Sequence, residues 1–321
     1  MTKYAADIDA VCEAADRIAS YAHRTPVVTC STLDRMAGRK LFFKCEQFQK
    51  SGSFKFRGAC NTLMKLPGEA VERGVVTHSS GNHAQALALA AKLRGCAVHL
   101  VMPRTASLIK RQAVEGYGGT VHLCEPTLAA RQETAARVAA ETGAVMIPPF
   151  DHPDIIAGQA TAARELLAEV PDLDAIIAPV GGGGLISGTV IAMGMGTRGV
   201  RVFAAEPAGA DDAAQSLAAG RLIPQTSPQT ICDGLLTSLG ELTWPIIRDH
   251  VQRVIVVSDG EVIEAMRLCW QRAKLLIEPS AAVAAAAVLS QEFVSIEGLG
   301  RVGVILSGGN VDLDNLPWTG L

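Results

Sequence analysis

Short runs rich in β-branched and apolar residues recur along this chain, separated by longer stretches with helical spacing. Residues 40–45, 75–78, 97–102, 120–123, 175–178, 201–205, 254–257 and 302–306 are the expected strands. Helices are expected at 84–93, 129–140, 185–195 and 262–274, the last opened by the capping box Ser258-Asp259-Gly260-Glu261. Strands joined through helices pair by crossover, so the pattern predicts an α/β protein with mainly parallel sheets.

A chain of 321 residues, 49% hydrophobic and 19% charged, can bury a large core and is long enough for two domains. The run Pro148-Pro149-Phe150-Asp151-His152-Pro153 is the clearest composition break. We therefore expect a smaller, mobile unit at 74–150 inserted into a larger, cofactor-binding unit formed by 1–73 and 151–321. A net charge of −3 without any dense Lys/Arg run argues against nucleic acid or an anionic membrane as principal partner. A small molecule fits better. No secretory pattern precedes Asp7, and the alanine-rich run 281–289 is too short to span a bilayer. Eight cysteines without a Cys-x-x-Cys pair suggest reduced thiols and a cytoplasmic location, and seven scattered histidines argue against a zinc site.

Four polar turns stand out. Ser51-Gly52-Ser53-Phe54-Lys55-Phe56-Arg57-Gly58 places a lysine beside an aromatic ring where a helix opens. Gly181, Gly182, Gly183 and Gly184 follow an apolar strand and precede a helical run, an arrangement in which backbone N–H groups converge on an anion such as phosphate. Ser79-Ser80-Gly81-Asn82-His83 and Ser307-Gly308-Gly309-Asn310 are the other two. Glu206 ends the next strand about where a nicotinamide ribose would need an acid. The Gly-x-Gly-x-x-Gly spacing nevertheless fails, because Gly188 lies too far along, and no Walker sequence occurs. An anion cradle, a helix-opening lysine and polar turns are what pyridoxal phosphate requires. Taken singly, Ser80 and Asn82 could instead be helix caps, and His78 and His83 read as structural.

These motifs, with Thr25-Pro26-Val27 and Leu276-Ile277-Glu278-Pro279, occur in an order that resembles the fold-type II pyridoxal-phosphate enzymes nearly end to end. The resemblance is to the branch of serine racemase, serine/threonine dehydratase and 3-hydroxyaspartate dehydratase. It implies two domains, each with a mostly parallel sheet flanked by helices. By that resemblance Lys55 is the imine partner, Phe54 packs beside the ring, Asn82 bonds the ring hydroxyl, and residues 181–184 hold the phosphate. Glu278 joins the cofactor set and Ser307 meets the ring nitrogen. A neutral hydroxyl there withdraws electrons weakly and favours β-elimination. Lys55 and Ser80 become acid/base groups on opposite faces, so racemisation is chemically available too. Ser79, Ser80, Gly81 and Asn82 would take the substrate carboxylate.

Arg131 matches an active-site arginine of serine racemase that could meet the second carboxylate of 3-hydroxyaspartate. Phe150, where mammalian-type racemases have asparagine, and Phe56 resemble the dehydratase branch. Glu206, Ala210 and Asp212 resemble a divalent-cation site, with oxygen ligands suited to Mg²⁺, Ca²⁺ or Mn²⁺. Lys50, Ser51 and Tyr117 resemble positions near an ATP effector site. A homodimer is expected. The leading expectation is an ammonia-lyase for a small β-hydroxy amino acid, with 3-hydroxyaspartate ahead of serine and threonine. Serine racemase with dehydratase side activity is the alternative, a nicotinamide oxidoreductase a third reading, and a non-catalytic binding module a fourth.

Overall fold

The computed structural model describes residues 3–106 and 108–318. Its strands are β1 (Val27–Val28), β2 (Lys40–Cys45), β3 (Val75–His78), β4 (Val98–Pro103), β5 (Thr120–Cys124), β6 (Val145–Met146), β7 (Ala175–Pro179), β8 (Arg201–Pro207), β9 (Arg253–Val257) and β10 (Arg301–Leu306). They form a six-stranded sheet of order β1-β2-β10-β7-β8-β9 and a four-stranded sheet of order β5-β4-β3-β6. Every pair is parallel except β1 with β2. This is the type II α/β architecture that the alternation and the motifs led us to expect.

The inner strands read as unbroken apolar runs because both of their faces are covered. Along β7, Ala175 and Ile177 enter one core while Ile176 and Ala178 enter the other; in β10, Val302, Val304 and Leu306 are separated from Ile305 in the same way. The four-stranded sheet lies wholly between Val75 and Met146, but its core also takes in Ile18, Phe56, Ala59, Cys60, Leu63 and Ile155. The two sheets therefore share packing through the helix Lys55–Lys65.

Three helices set the site's framework, and glycines let them approach closely. Helix Lys55–Lys65 crosses helix Pro153–Glu169 where Gly58 meets Gly158; a Cβ on Gly158 would lie 2.6 Å from the Gly58 Cα. On its other side, Pro153–Glu169 meets helix Gly184–Ala192 at Gly188, where a Cβ would lie 2.7 Å from the Ala160 nitrogen. The helix carrying the lysine and the helix opened by the glycine run thus pack against one shared helix.

Two expected helices are shorter than their patterns. The 185–195 run ends at Ala192, ahead of left-handed Gly194 and Met195 at φ 70° and 51°. The 262–274 run is α-helical from Asp259 to Leu268 behind the Ser258–Glu261 capping box, then widens into a π-turn, Cys269–Ala273, closed by left-handed Lys274. No helix among the described residues is long and apolar enough to cross a membrane.

Candidate active site

In an open α/β sheet, ligand sites collect at the carboxyl ends of the strands. Parallel neighbours β2, β10 and β7 send their next segments off the same edge: β2 toward Lys55, β10 into Ser307, and β7 into the glycine run.

Gly52, Ser53 and Phe54 are zipped to the exit of β10. Phe54 N–H donates to Ser307 O at 3.0 Å, Gly309 N–H to Gly52 O at 2.9 Å, and Ser53 bridges Gly308. Lys55 opens its helix with Nζ 5.1 Å from the centroid of the Phe54 ring and donates to Pro149 O at 2.8 Å. Burial lowers its amine to a pKa of about 8, so a neutral, proton-accepting form is accessible near neutrality.

The glycine run is buried and narrow. Gly183 has φ +89°, a conformation that excludes side chains, and a Cβ there would lie 2.7 Å from Thr243 Oγ1. A Cβ on Gly182 would fall 2.2 Å from the Phe150 ring. Among the described residues, the N–H groups of Gly181, Gly182 and Gly183 have no protein acceptor, and the first-turn N–H groups of helix Gly184–Ala192 lack one by helix geometry. Buried donors converging at a helix N-terminus fit a phosphate.

The Ser79–Asn82 turn joins β3 to helix Asn82–Arg94. Ser80 is half-buried and its hydroxyl makes no hydrogen bond among the described residues. Neither Ser80 nor Asn82 caps the helix, whose N-cap is Gly81, so the first-turn N–H groups stay available to an anion. Asn82 Nδ2 donates to Glu278 Oε1 at 2.7 Å, and its Oδ1 accepts from Asn310 Nδ2 at 2.8 Å. Asn310 N–H donates to the other Glu278 oxygen at 3.1 Å. Burial, with Asp233 nearby, raises the Glu278 carboxyl to about 8. This clamp joins the Ser79–Asn82 turn to the Ser307–Asn310 turn. His83 is buried with Nε2 3.4 Å from Ile147 O, and burial beside the Lys55 charge drops it to about 3; it stays neutral.

The remaining expected residues divide. Arg131, on helix Leu128–Thr142, has a buried Nε without a partner and no ion pair among the described residues. Its charge, after burial, lowers the pKa of His78, the last residue before Ser79. Phe56 does not enter the site: it is fully buried in the four-stranded sheet's core, under the Lys50 ammonium 5.9 Å from its centroid. Glu206 accepts from Ala213 N and Ala214 N at 3.0 and 2.9 Å, so it is not the free acid a ribose would need. Asp212 accepts from Leu239 N at 3.1 Å, while its buried Oδ1 has no partner, beside buried Ala210. Burial pushes Glu206 up to about 8 and Asp212 to about 6. Two buried carboxyls, one with an orphan oxygen, suit a hard cation.

The reading from residues missed Pro149 O as acceptor for Lys55, and Thr243 and Asp151 behind the glycine run. Their contacts span 61 to 94 residues and involve backbone atoms, for which no sequence motif exists.

Residues 18–308 match the family described as pyridoxal-phosphate dependent enzyme. A serine racemase of Arabidopsis thaliana is 50% identical over 317 residues, covering 98% of this chain and 96% of its own length. A β-hydroxyaspartate dehydratase of Paracoccus denitrificans is 47% identical over 303 residues, 94% of this chain and 96% of that one. The solved structure of maize serine racemase superposes with a TM-score of 0.95 at 51% identity, over 97% of this chain and 95% of that chain. With its lysine turn, anion cradle and strand order, this chain belongs to the pyridoxal-phosphate-dependent enzymes, in the group that holds serine racemases and β-hydroxyaspartate dehydratases.

Proposed function

We propose that the protein is an ammonia-lyase for a small β-hydroxy amino acid, with 3-hydroxyaspartate as its first substrate. The observation that carries the substrate is Arg131, a guanidinium without an ion pair among the described residues, whose charge is felt at His78 beside the Ser79–Asn82 turn. A dicarboxylate would give it a partner. The 47% identical β-hydroxyaspartate dehydratase supports the same reading.

Bound pyridoxal phosphate would acidify the substrate's α-carbon. Lys55, Phe54, Asn82, Glu278, Ser307 and residues 181–184 would hold it. The chain's own part is to place charges and move protons. The N–H groups of the Ser79–Asn82 turn, of which Gly81 N–H makes a long 3.4 Å bond to Ser79 Oγ, hold the α-carboxylate, and Lys55 Nζ takes the α-proton. The β-hydroxyl departs as water, with the α-proton removed by Lys55 supplying the second hydrogen in the net balance. The released enamine tautomerises and hydrolyses, giving oxaloacetate and ammonium from 3-hydroxyaspartate. Ser80, whose hydroxyl has no partner among the described residues, is the proton donor or acceptor for the opposite face.

That free hydroxyl, with the 50% identical racemase, favours a second reading: serine racemase with dehydratase side activity. Each stereoisomer of 3-hydroxyaspartate, serine and threonine is to be incubated with the enzyme, scoring 2-oxo acid, ammonium and enantiomer ratio. Oxaloacetate from 3-hydroxyaspartate at the highest kcat/KM supports the first reading; serine racemisation outrunning every elimination replaces it with the second.

The same proposal assigns Glu206, Ala210 and Asp212 to a divalent cation, Mg²⁺ first. It takes 74–150 as a small unit moving against 1–73 and 151–321, and a homodimer in the cytoplasm as the working form. ATP at Lys50, Ser51 and Tyr117 is its proposed effector, tested by calorimetric titration.

A further inference from the structure

Thr243 occupies the N-cap position of helix Trp244–His250, where a threonine hydroxyl ordinarily accepts from the first turn of its own helix. Here it makes no such bond. The side chain is fully buried, and Oγ1 lies 2.8 Å from Gly182 O and 2.9 Å from Gly240 N. The hydroxyl accepts from Gly240 N–H and donates to Gly182 O, the nearer of two carbonyls in reach, Gly240 O lying at 3.2 Å. Gly240 N–H is itself 3.3 Å from Gly182 O, a weaker second donor to the same carbonyl. Asp151 steadies the segment from outside, accepting from Glu241 N and Leu242 N at 3.1 and 2.9 Å. Asp151 follows Phe150, whose ring covers Gly182, and Pro149, whose carbonyl holds Lys55 Nζ.

A trans peptide unit is planar, with its C=O and N–H pointing in opposite directions. Fixing Gly182 O on Thr243 therefore aims the N–H of Gly183 away from Thr243, toward the side where the free donors converge. Glycine at φ +89° has no side chain to hold that plane, and a Cβ would strike the threonine. Some other group must hold it. We infer that Thr243, braced by Asp151, is a positioning residue that orients the Gly182–Gly183 peptide and so sets the cradle's affinity for the cofactor phosphate. The inference rests on reading residues 181–184 as the phosphate cradle.

The test compares pyridoxal 5′-phosphate with pyridoxal, which lacks the phosphate, by fluorescence titration of cofactor-free protein. Wild type is expected to prefer the phosphorylated form strongly. T243V, similar in volume but without the hydroxyl, should lose about tenfold of that preference, the scale of one hydrogen bond to a charged group, with pyridoxal affinity unchanged. T243S should restore it. If T243V weakens both ligands equally, or T243S fails to rescue, Thr243 only supports packing and the inference is overturned. Wild type binding both ligands alike would sink the cradle reading, and this inference with it.

Discussion

Replacing Arg57 with methionine removes the hub of a buried ion cluster behind the lysine turn. The guanidinium is fully buried and binds two carboxylates with paired bonds: Glu46 through Nε and Nη2 at 2.7 and 2.8 Å, and Glu165 through Nη1 and Nη2 at 2.7 and 2.8 Å. Lys44 Nζ completes the set at 2.7 Å from Glu165. Arg57 and Lys44 balance Glu46 and Glu165, so the cluster is neutral. Without Arg57, Glu165 keeps Lys44 and some solvent, but Glu46 keeps only the Thr25 hydroxyl at 2.5 Å among side chains. Stranding one buried charge costs about 3–5 kcal/mol, and we expect about 4 for R57M at pH 7. The double variant R57M/E46Q leaves the Lys44–Glu165 pair neutral by itself and should recover at least about half. The assay is urea unfolding of cofactor-free protein by tryptophan fluorescence, since bound cofactor would add its own stabilisation. Burial raises the Glu165 carboxyl, but Arg57 and Lys44 outweigh it and hold the pKa below the usual value. Stability from a depressed carboxyl is present above its unfolded pKa and lost as pH falls through the folded one. The gap between wild type and R57M should therefore narrow toward pH 4. A loss below about 1 kcal/mol at pH 7, or a double variant no more stable than the single, refutes the reasoning.

Three further outcomes are expected. Lys55→Ala should lower turnover by about 10²–10⁴-fold and abolish the visible absorption of lysine-bound cofactor. In wild type, cofactor association should rise between pH 7 and 9 with a midpoint near 8, because burial favours the neutral amine above that pH; stopped-flow absorbance reads it. Ser80→Ala should abolish racemisation of serine while leaving elimination from one enantiomer, as chiral chromatography would show; equal loss for both enantiomers denies it a face-specific role. Chelation with EDTA should lower the thermal midpoint of wild type and regain it with Mg²⁺, whereas Glu206→Gln should respond to neither.

Much of the fold was legible because its signals are local. Runs such as 302–306 show their burial in composition, and a glycine run after a strand reports a turn whatever surrounds it. β1 and β6 were not, since two residues each are too few to display a period. Nor was the π-turn at Cys269–Ala273, because its α-helical and widened halves share one apolar stripe. At the site, Lys55, the glycines and Ser307 carry their own motifs. The clamp between Asn82 and Glu278 spans 196 residues and appears only once both turns are placed. Phe56, although it neighbours the lysine in sequence, is turned by the helix into the core of the four-stranded sheet, a direction that the local pattern does not reveal.

The helix that begins at Lys55 separates two kinds of cation within one turn. Arg57 is anchored inward, its charge matched by Glu46 and Glu165, and the cluster holds the start of the helix against β2 and helix Pro153–Glu169. Lys55 meets a carbonyl instead, Pro149 O, and burial alone shifts its pKa. An amine facing a carboxylate would stay protonated and poor as a base; one facing a neutral acceptor in a buried cleft can lose its proton near neutrality. The Glu46 and Glu165 carboxylates, both engaged by Arg57, secure the lysine's helix without raising the lysine's own pKa. R57M therefore tests more than stability: with Glu46 released, any rise in the pH midpoint of cofactor association would reveal how far that engagement keeps Lys55 reactive.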